Sequence, residues 1–428
     1  MLQMEEARAG RITQDVRAVA REEGVDPAAL ARQVADGTAV VLRNSGSPRR
    51  PLGLGRGLRT KVNANIGTSS DASSLDEELL KLDAAVAAGA DAVMDLSTGG
   101  DLDAIRRAVL ARSTVAVGTV PIYQAAVQAR RAGKGMVQMT ADDMLGAVRA
   151  HVEDGVDFVT VHCGVTLEVA AHARRAPRLA DVVSRGGAFL MEWMAYNRKE
   201  NPLYERYDDL LDIVAARDAA VSLGDGLRPG ALADANDPAQ VAELTVISEL
   251  VERARARGVQ AIVEGPGHVP LDLVKASVEL EKSLCGGAPF YVLGPLVTDV
   301  APGYDHIAAA IGGAVAGAAG ADFLCYVTPA EHLRLPSVDD VREGVFALRV
   351  AAHAADIAKG VPGAREWDDR LSRARKALRW DEALSLALDP AKARAYRASS
   401  VPSDTDLCTM CGEFCAMKKM TTVRKGEA

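Results

Sequence analysis

Residues 155–170 read GVDFVTVHCGVTLEVA, a short apolar run followed by a polar turn and the start of an amphipathic segment. The run Phe158–His162 is rich in β-branched residues, a composition that favours a buried strand. Similar runs recur through the central part of the chain, and most of them end in glycine or a polar residue. The eight candidate strands are Val62–Ile66, Ala92–Leu96, Val115–Val120, Phe158–His162, Ala219–Leu223, Gln260–Val263, Tyr291–Leu293 and Phe323–Val327.

Helix-like segments lie between these strands, with apolar residues at i, i+3 and i+4. The clearest are Leu75–Ala88, Ala141–Glu153, Leu203–Ala216, Pro238–Arg257 and Val338–Lys359. About eight strand–helix units over about 270 residues match the size and order of a (β/α)8 TIM-like barrel, a fold of the α/β class. A doubly wound open sheet is the alternative, because periodicity alone does not show that a sheet closes.

The composition excludes several classes of function. The 428 residues carry a net charge of -8, from 50 basic and 58 acidic side chains, and only 4% are aromatic. Binding of nucleic acid needs a clustered basic face or stacking aromatics, so we expect no nucleic-acid partner. No apolar run reaches the roughly 18–20 residues of a membrane span, and the N-terminal stretch lacks the apolar core of a signal peptide. We therefore expect a cytoplasmic protein without membrane contact.

Changes in pattern along the chain predict four regions. The stretch Asn44–Arg59 is rich in Gly, Ser, Pro and Arg, which is typical of a surface loop. Ser, Pro, Thr and Asp dominate the stretch 399–406, which we interpret as a linker. The expected regions are 1–60 (helices and loop), 61–360 (catalytic barrel), 361–398 (C-terminal helices) and 399–428 (a tail with three of the six cysteines).

Polar residues of the types used in catalysis recur where the strands end. In a parallel barrel the carboxyl ends of all strands meet on one face, and the loops there carry the active site. An ordinary turn explains any one of these segments, but together they indicate a shared polar site. The nine segments are NANIG (63–67), MDLSTGG (94–100), GTVPIY (118–123), VHCG (161–164), SRGG (184–187), LGDGLRPG (223–230), VEGPGHVP (263–270), GPLVTDVAPGYDH (294–306) and YVTPAEH (326–332).

Two of the segments have the features of a phosphate-binding loop. Glycines expose backbone N–H donors, and an arginine binds two phosphate oxygens in a fork. Ser184-Arg185-Gly186-Gly187 and Asp225-Gly226-Leu227-Arg228 combine both features, and the carboxylate of Asp225 suits ribose hydroxyls. The alternative for each segment is a glycine-rich turn with a surface arginine.

Two histidines are candidates for binding a divalent metal. His268 follows Glu264-Gly-Pro-Gly at one strand end, and His332 follows Glu331 at another. Two such imidazoles can share a metal ion and leave positions open for substrate and water. A pair of hydrogen-bonded pocket histidines is the alternative. Further candidates for substrate contact are His162, Tyr123, Tyr291 and Tyr304, with core packing as the alternative for the tyrosines.

The stretch Cys408-Thr-Met-Cys411-Gly-Glu-Phe-Cys415 is the sharpest local feature. A structural zinc site requires four closed ligands, and no fourth Cys or His lies nearby in the sequence. Three cysteines suit a 4Fe–4S cluster with one iron free for a small ligand. In radical enzymes that iron binds S-adenosylmethionine. Structural zinc and redox use of the thiols are the alternatives.

Taken together, the strand-end strings resemble the phosphomethylpyrimidine synthase family of radical S-adenosylmethionine enzymes. The resemblance implies a (β/α)8 barrel and a homodimer in which the cysteine tail lies over the partner's barrel. It also implies a lyase of thiamine biosynthesis that converts 5-aminoimidazole ribonucleotide to 4-amino-5-hydroxymethyl-2-methylpyrimidine phosphate, with formate and carbon monoxide released. The matching strings are KVNANIG, GADAVMDLSTGG, GTVPIYQA, GVDFVTVHCGVT, SRGG, SLGDGLRPG, VEGPGHVP, APFYVLGPLVTDVAPGYDHI, CYVTPAEHL and AAHAADIAKG.

The resemblance also implies roles for individual residues. Cys408, Cys411 and Cys415 would bind the cluster, with a flavodoxin- or ferredoxin-type reductant as its electron donor. His268 and His332 would bind the divalent metal, which is zinc, iron or cobalt. Glu264 is our candidate for proton transfer, because neighbours can tune the pKa of a pocket carboxylate. The implied substrate contacts are Asn65, Met94, Tyr123, His162, Ser184, Arg185, Gly186, Asp225, Gly226, Leu227, Arg228, Glu264 and Tyr291.

Two departures from the family pattern mean that a close paralogue is an alternative. The family's long form has four residues between its last two cysteines, whereas three separate Cys411 from Cys415, and many members carry a long N-terminal extension that this chain lacks. 5-Hydroxybenzimidazole synthase has the same scaffold and uses the same ribonucleotide to make the lower base of cobamides. We favour the pyrimidine enzyme as the commoner member. A second alternative, from another class of enzyme, is a metal-dependent barrel hydrolase or lyase with a structural zinc tail.

Overall fold

The computed structural model describes residues 2–72, 74–400 and 406–425. Its strands are β1 (Ala39–Leu42), β2 (Leu52–Gly55), β3 (Lys61–Ile66), β4 (Ala92–Asp95), β5 (Ala116–Thr119), β6 (Phe158–Val161), β7 (Ala220–Leu223), β8 (Ala261–Gly265), β9 (Phe290–Leu293) and β10 (Phe323–Cys325). Its helices are α1 (Gln3–Arg8), α2 (Gln14–Glu23), α3 (Pro27–Asp36), α4 (Leu75–Ala88), α5 (Leu102–Arg112), α6 (Pro121–Arg131), α7 (Ala141–Asp154), α8 (Leu167–Arg175), α9 (Arg185–Asn197), α10 (Pro202–Glu205), α11 (Tyr207–Ala215), α12 (Pro238–Ala256), α13 (Leu271–Leu284), α14 (Asp305–Ala319), α15 (Val338–Lys359), α16 (Ala364–Lys376), α17 (Trp380–Ser385), α18 (Pro390–Ala398) and α19 (Ala416–Lys425).

Strands β3 to β10 form a closed parallel barrel in sequence order. The ring closes where Leu324 of β10 pairs with Val62 of β3. Nearly every strand residue is buried, because side chains fill the interior and helices cover the outside, and this explains why the strands are near-continuous apolar runs. The predicted (β/α)8 barrel is confirmed, and the open-sheet alternative is wrong.

The predicted elements agree with the observed ones except at their ends. Each of the eight predicted strands matches one barrel strand to within two residues. The predicted helix Leu203–Ala216 is divided, because α10 ends at Glu205 and α11 begins at Tyr207. Side chains cap several of the helices, and before α7 the Thr140 hydroxyl accepts from the Asp143 N–H.

The N-terminal region contains a two-stranded sheet that the sequence analysis did not predict. Strands β1 and β2 pair antiparallel, with Val41 opposite Gly53. Because β2 lies within the stretch Asn44–Arg59, the expectation of a surface loop is wrong for its residues. A Cβ at Gly53 would lie 2.3 Å from the Val19 side chain of α2. Glycine therefore serves close packing at this position rather than loop flexibility.

This hairpin is anchored to the N-terminal ends of the barrel strands. Gln260, directly before β8, accepts from the Val41 N–H at 2.6 Å and donates to the Val41 carbonyl at 2.9 Å. Asp157, directly before β6, accepts from Arg49 Nε at 2.8 Å and from the Asn44 N–H at 3.0 Å. Arg49 and Asp157 are both buried, so removal of one partner would cost about 3–5 kcal/mol.

The chain divides into two compact units, Met1–Asp356 and Ile357–Ala428. In the second unit, Trp367 Nε1 of α16 donates to the Leu386 carbonyl just after α17 at 2.7 Å. Of the predicted linker, residues 401–405 lie outside the described part of the chain. No helix among the described residues is long and apolar enough to cross a membrane.

Glu281 of α13 makes the stability of the folded protein dependent on pH. Its side chain is fully buried, and burial raises its pKa to about 8 from an ordinary value of 4.5. The folded protein therefore keeps a proton that the unfolded chain releases above pH 4.5, and stability falls as the pH rises from about 4.5 to 8. Glu281→Gln removes this loss. We expect the variant to gain about 3 kcal/mol of unfolding free energy relative to wild type when the pH is raised from 5 to 8.

Urea denaturation at the two pH values measures this difference. The control is Glu279→Gln on the same helix, where the carboxylate is largely exposed and pairs with Lys275. Its difference from wild type should not change between pH 5 and pH 8 by more than about 0.5 kcal/mol. A Glu281→Gln variant with the same small pH dependence would contradict the assignment of a buried, protonated carboxyl.

Candidate active site

The carboxyl ends of the barrel strands surround an open cavity with about 880 Å³ of empty space, a volume that includes solvent at its mouth. Four of the thirteen predicted substrate contacts, Ser184, Gly186, Gly226 and Leu227, do not line it. Nine of the predicted substrate contacts line the cavity: Asn65, Met94, Tyr123, His162, Arg185, Asp225, Arg228, Glu264 and Tyr291.

Glu264 of β8 is held by hydroxyl groups from two neighbouring strands. Its Oε1 accepts from Thr160 Oγ1 at 2.7 Å and from Ser222 Oγ at 2.6 Å. Thr160 and Ser222 are register partners on β6 and β7, so their hydroxyls lie side by side. Burial raises the pKa of Glu264, while the two hydroxyls and Arg228 act to lower it. The cavity therefore holds a carboxyl group suited to proton transfer.

A polar network joins β3, β9 and β10 at the cavity wall. Asn63 Nδ2 donates to Tyr291 Oη at 2.7 Å and to Asn65 Oδ1 at 2.8 Å. Asn65 Nδ2 donates to Cys325 Sγ at 3.1 Å, and burial raises the pKa of this thiol to about 11. Tyr291 Oη donates to Met94 Sδ at 3.5 Å. The structure thus brings together three predicted contacts and adds Asn63 and Cys325, to which the sequence analysis gave no role.

Helix α9 begins against the imidazole of His162. Ser184 caps the helix by accepting from the Gly187 N–H at 3.2 Å. A Cβ at Gly186 would lie 2.3 Å from the His162 ring, so glycine is required for this approach. Burial, helped by Arg228, lowers the pKa of His162 to about 3. Its Nδ1 is buried and has no hydrogen-bond partner among the described residues.

Charged side chains from two loops face the cavity. Arg228 Nη1 donates to Asp225 Oδ1 at 3.1 Å, and the other oxygen of Asp225 has no partner within the part of the chain described. Burial raises the pKa of Asp225, and Arg228 opposes that shift. The Arg185 guanidinium lies 4.8 Å from the centre of the Tyr123 ring. Two arginines in one cavity supply the positive charge that a phosphorylated ligand needs.

The predicted metal ligands His268 and His332 come together, with ring centroids 5.3 Å apart. His268 Nδ1 lies 2.8 Å from Asp299 Oδ1, and His332 Nδ1 lies 3.5 Å from Asp305 Oδ2. The contact of His268 is a hydrogen bond of the kind that orients a metal-binding histidine through its other nitrogen, whereas Asp305 Oδ2 makes no hydrogen bond to the described residues. Among the described residues no three His, Cys, Asp or Glu side chains form a group that could hold a metal ion.

The predicted cluster ligands lie on one turn of the second unit. Cys408, Cys411 and Cys415 all carry free thiols. The Gly412 N–H donates to the Cys408 carbonyl at 3.0 Å, which folds the turn around the first cysteine. Three free thiols on one turn are the donor set that a 4Fe–4S cluster with one open iron requires.

The structure also corrects and extends the set of predicted contacts. Tyr304 precedes α14 with 66% of its surface exposed and does not line the cavity. Three supporting residues were missed: Thr160, Ser222 and Asp299. The first two did leave a signal, since each is a lone hydroxyl residue within an apolar strand. Asp299 lies in the quoted segment 294–306, but no spacing connects it with His268.

A closed parallel barrel whose strand ends bring arginines, carboxyl groups and an imidazole into one cavity defines the class of (β/α)8-barrel enzymes. The sequence pattern described as the Radical SAM ThiC family matches residues 2–422. The chain therefore belongs to the radical SAM ThiC family.

Curated relatives match over nearly the whole chain. The phosphomethylpyrimidine synthases of Desulforamulus reducens and Moorella thermoacetica are each 59% identical over 419 residues, which cover 98% of this chain and 97% of the relative. The phosphomethylpyrimidine synthase of Geobacter metallireducens is 58% identical over 420 residues, covering 98% and 96%. Among solved structures, a dihydropteroate synthase from Xanthomonas albilineans aligns with 13% identity and a TM-score of 0.45, over 75% of this chain and 100% of that one.

Proposed function

We propose that this protein converts 5-aminoimidazole ribonucleotide to 4-amino-5-hydroxymethyl-2-methylpyrimidine phosphate, the pyrimidine of thiamine, and releases formate and carbon monoxide. The observation that carries the proposal is the 59% identity to phosphomethylpyrimidine synthases over 98% of the chain. The cavity supports it, because Arg185, Arg228 and Asp225 suit a phosphorylated ribose. Membership of a radical SAM family argues against the barrel hydrolase with a structural zinc tail.

The proposed cofactors are a 4Fe–4S cluster and S-adenosylmethionine. Cys408, Cys411 and Cys415 would bind three irons and leave the fourth for S-adenosylmethionine. When bound, the reduced cluster supplies the electron that splits S-adenosylmethionine into methionine and a 5′-deoxyadenosyl radical. A flavodoxin- or ferredoxin-type protein in the cytoplasm is the proposed electron donor. We also propose a homodimer in which each cysteine tail serves the partner's barrel.

The chain's own residues bind and orient the ribonucleotide in this proposal. The turn Ser184–Gly186 holds the phosphate through Arg185, which lines the cavity, and Asp225 and Arg228 hold the ribose. The base lies among the side chains at the ends of β3, β4 and β9. Orientation of this kind shortens the path between reacting atoms and keeps water out. Glu264 exchanges a proton with the substrate, because burial raises the pKa of this carboxyl group and so favours uptake of a proton.

His268 and His332 are the proposed ligands of the divalent metal. A metal at this position would orient the substrate or the amino group of S-adenosylmethionine. The support for this site is the approach of the two rings to 5.3 Å and the carboxylate beside each Nδ1.

The test of the proposal is the identity of the product. The protein is reconstituted anaerobically with iron and sulfide and incubated with the ribonucleotide, S-adenosylmethionine and dithionite, and the product is identified by its mass. The pyrimidine phosphate supports the proposal. 5-Hydroxybenzimidazole would assign the chain to the paralogous reaction, and a colourless, zinc-loaded protein that makes neither product would refute radical chemistry.

Cys411→Ala tests the cluster assignment. We expect the variant to lose the broad visible absorbance that dithionite bleaches and to form no 5′-deoxyadenosine, because a cluster needs all three thiolates. The control is Cys285→Ala, which removes a buried thiol outside the turn and should keep both properties. Normal turnover by Cys411→Ala would contradict the assignment.

Glu264→Gln tests the role of the carboxyl group. The amide retains an oxygen that can accept from Thr160 and Ser222, so the cavity wall should stay in place. We expect the rate of product formation to fall about 10²- to 10⁴-fold, with little change in the Kd for the ribonucleotide. If Kd rises in proportion to the loss of rate, Glu264 is a binding anchor and not the proton-transfer group.

Asp299→Asn tests the proposed metal site without relying on activity. Asp299 holds the Nδ1–H tautomer of His268 and so leaves Nε2 free for a metal, whereas an amide can donate to Nδ1 and favour the opposite tautomer. We expect the affinity for Zn²⁺, measured by titration calorimetry on protein whose three tail thiols already hold the cluster, to fall about 10- to 100-fold. The exposed Asp272 of α13 provides the control Asp272→Asn. Equal affinities in the two variants would exclude Asp299 from the site.

A further inference from the structure

Glu243 of α12 is a buried carboxylate with no role in the function described so far. It has 1% of its surface exposed. Its Oε1 accepts from the Gly226 N–H at 2.8 Å, and its Oε2 accepts from the Leu227 N–H at 2.7 Å. One side chain from the outer helix layer therefore engages two consecutive N–H groups of the loop that follows β7.

Glycines in two loops make room for this contact. A Cβ at Gly164, after β6, would lie 3.0 Å from Glu243 Cγ and 2.8 Å from Ile247 Cγ1. A Cβ at Gly226 would lie 3.0 Å from Glu243 Oε1 and 2.2 Å from Val165 Cγ2. The loops after β6 and β7 thus approach α12 so closely that any larger residue at either position would displace the carboxylate or its surroundings.

The contact between Glu243 and the loop after β7 determines which polar groups of that loop can still bind a ligand. The N–H groups of Gly226 and Leu227 are satisfied by Glu243, although glycine-rich loops often present such donors to phosphate. The side chains of Asp225 and Arg228, on either side of the two engaged residues, line the cavity. The loop therefore offers its side chains to the cavity and its backbone donors to α12.

We propose that Glu243 is a positioning residue, which fixes the loop 225–228 so that Asp225 and Arg228 meet the ribose of the substrate. This inference rests on the proposed function, because it takes the ribonucleotide as the ligand. The requirement is for a carboxylate and not merely a polar group. Two adjacent N–H donors need two acceptor oxygens, and a glutamine would turn a donor of its own toward one of them.

The test compares Glu243→Gln with Glu249→Gln, an exposed position on the same helix. Binding of 5-aminoimidazole ribonucleotide to each protein is measured by titration calorimetry, and hydrogen exchange of the segment 224–229 is followed by mass spectrometry. For Glu243→Gln we expect a Kd raised about tenfold or more and faster exchange in this segment, because one buried donor loses its acceptor. Glu249→Gln should match wild type in both measurements.

The outcomes separate this inference from the proposed function. If wild type does not bind the ribonucleotide, the proposed function fails. If wild type binds and Glu243→Gln binds equally well, the positioning role is overturned, whatever its exchange rate. A general loss of stability would lower the unfolding midpoint and leave the Kd of the folded protein unchanged, and this result also overturns the role. Should Glu243→Gln not fold, Glu243→Asp keeps the charge, shortens its reach and is judged by the same Kd.

Discussion

Closure of the parallel sheet is the constraint on which the rest of the molecule depends. Once β10 pairs with β3, every barrel strand has hydrogen-bonded neighbours on both sides and all eight carboxyl ends form one ring. Residues far apart in the sequence then become neighbours, as when Asn65 meets Cys325 at a separation of 260 positions. The cavity is therefore a property of the closed sheet, and no single segment contains it.

Because the charged groups at this ring and on the helix behind it are buried, the pKa of each depends on its neighbours. Three carboxyl groups, Asp225, Glu243 and Glu264, have raised pKa values because they are removed from water, and Arg228 acts against the shift in each. The hydroxyls beside Glu264 and the backbone donors beside Glu243 do the same. The packing around these carboxyl groups thus sets their protonation. A substitution beside one of them can therefore change the charge of another.

Local patterns in the sequence predicted the barrel and the face on which its cavity lies, whereas several of the individual contacts, such as Asn65 and Met94, were implied only by the resemblance to a known family. β-branched runs mark the strands, and polar residues after them mark the face where the site lies. Glu243 could not be predicted in this way, since on a helix it is one polar residue among several, and its function depends on how closely two loops approach. Asp299 could not be predicted in this way either, because it acts through a hydrogen bond to the imidazole of His268, which lies on another loop. The hairpin strand β2 was missed because its glycines, which allow close packing, are also typical of loops.

The N-terminal hairpin is attached to one end of the barrel and the cavity lies at the other, so mutations at the two ends have different effects. Arg49 and Asp157 join the hairpin to the end of the strands opposite the cavity. Changes at that end alter how firmly the barrel is held together, while changes at the cavity end alter what it binds. In laboratory evolution the two ends can therefore be varied in separate rounds, one for thermal tolerance and one for ligand choice.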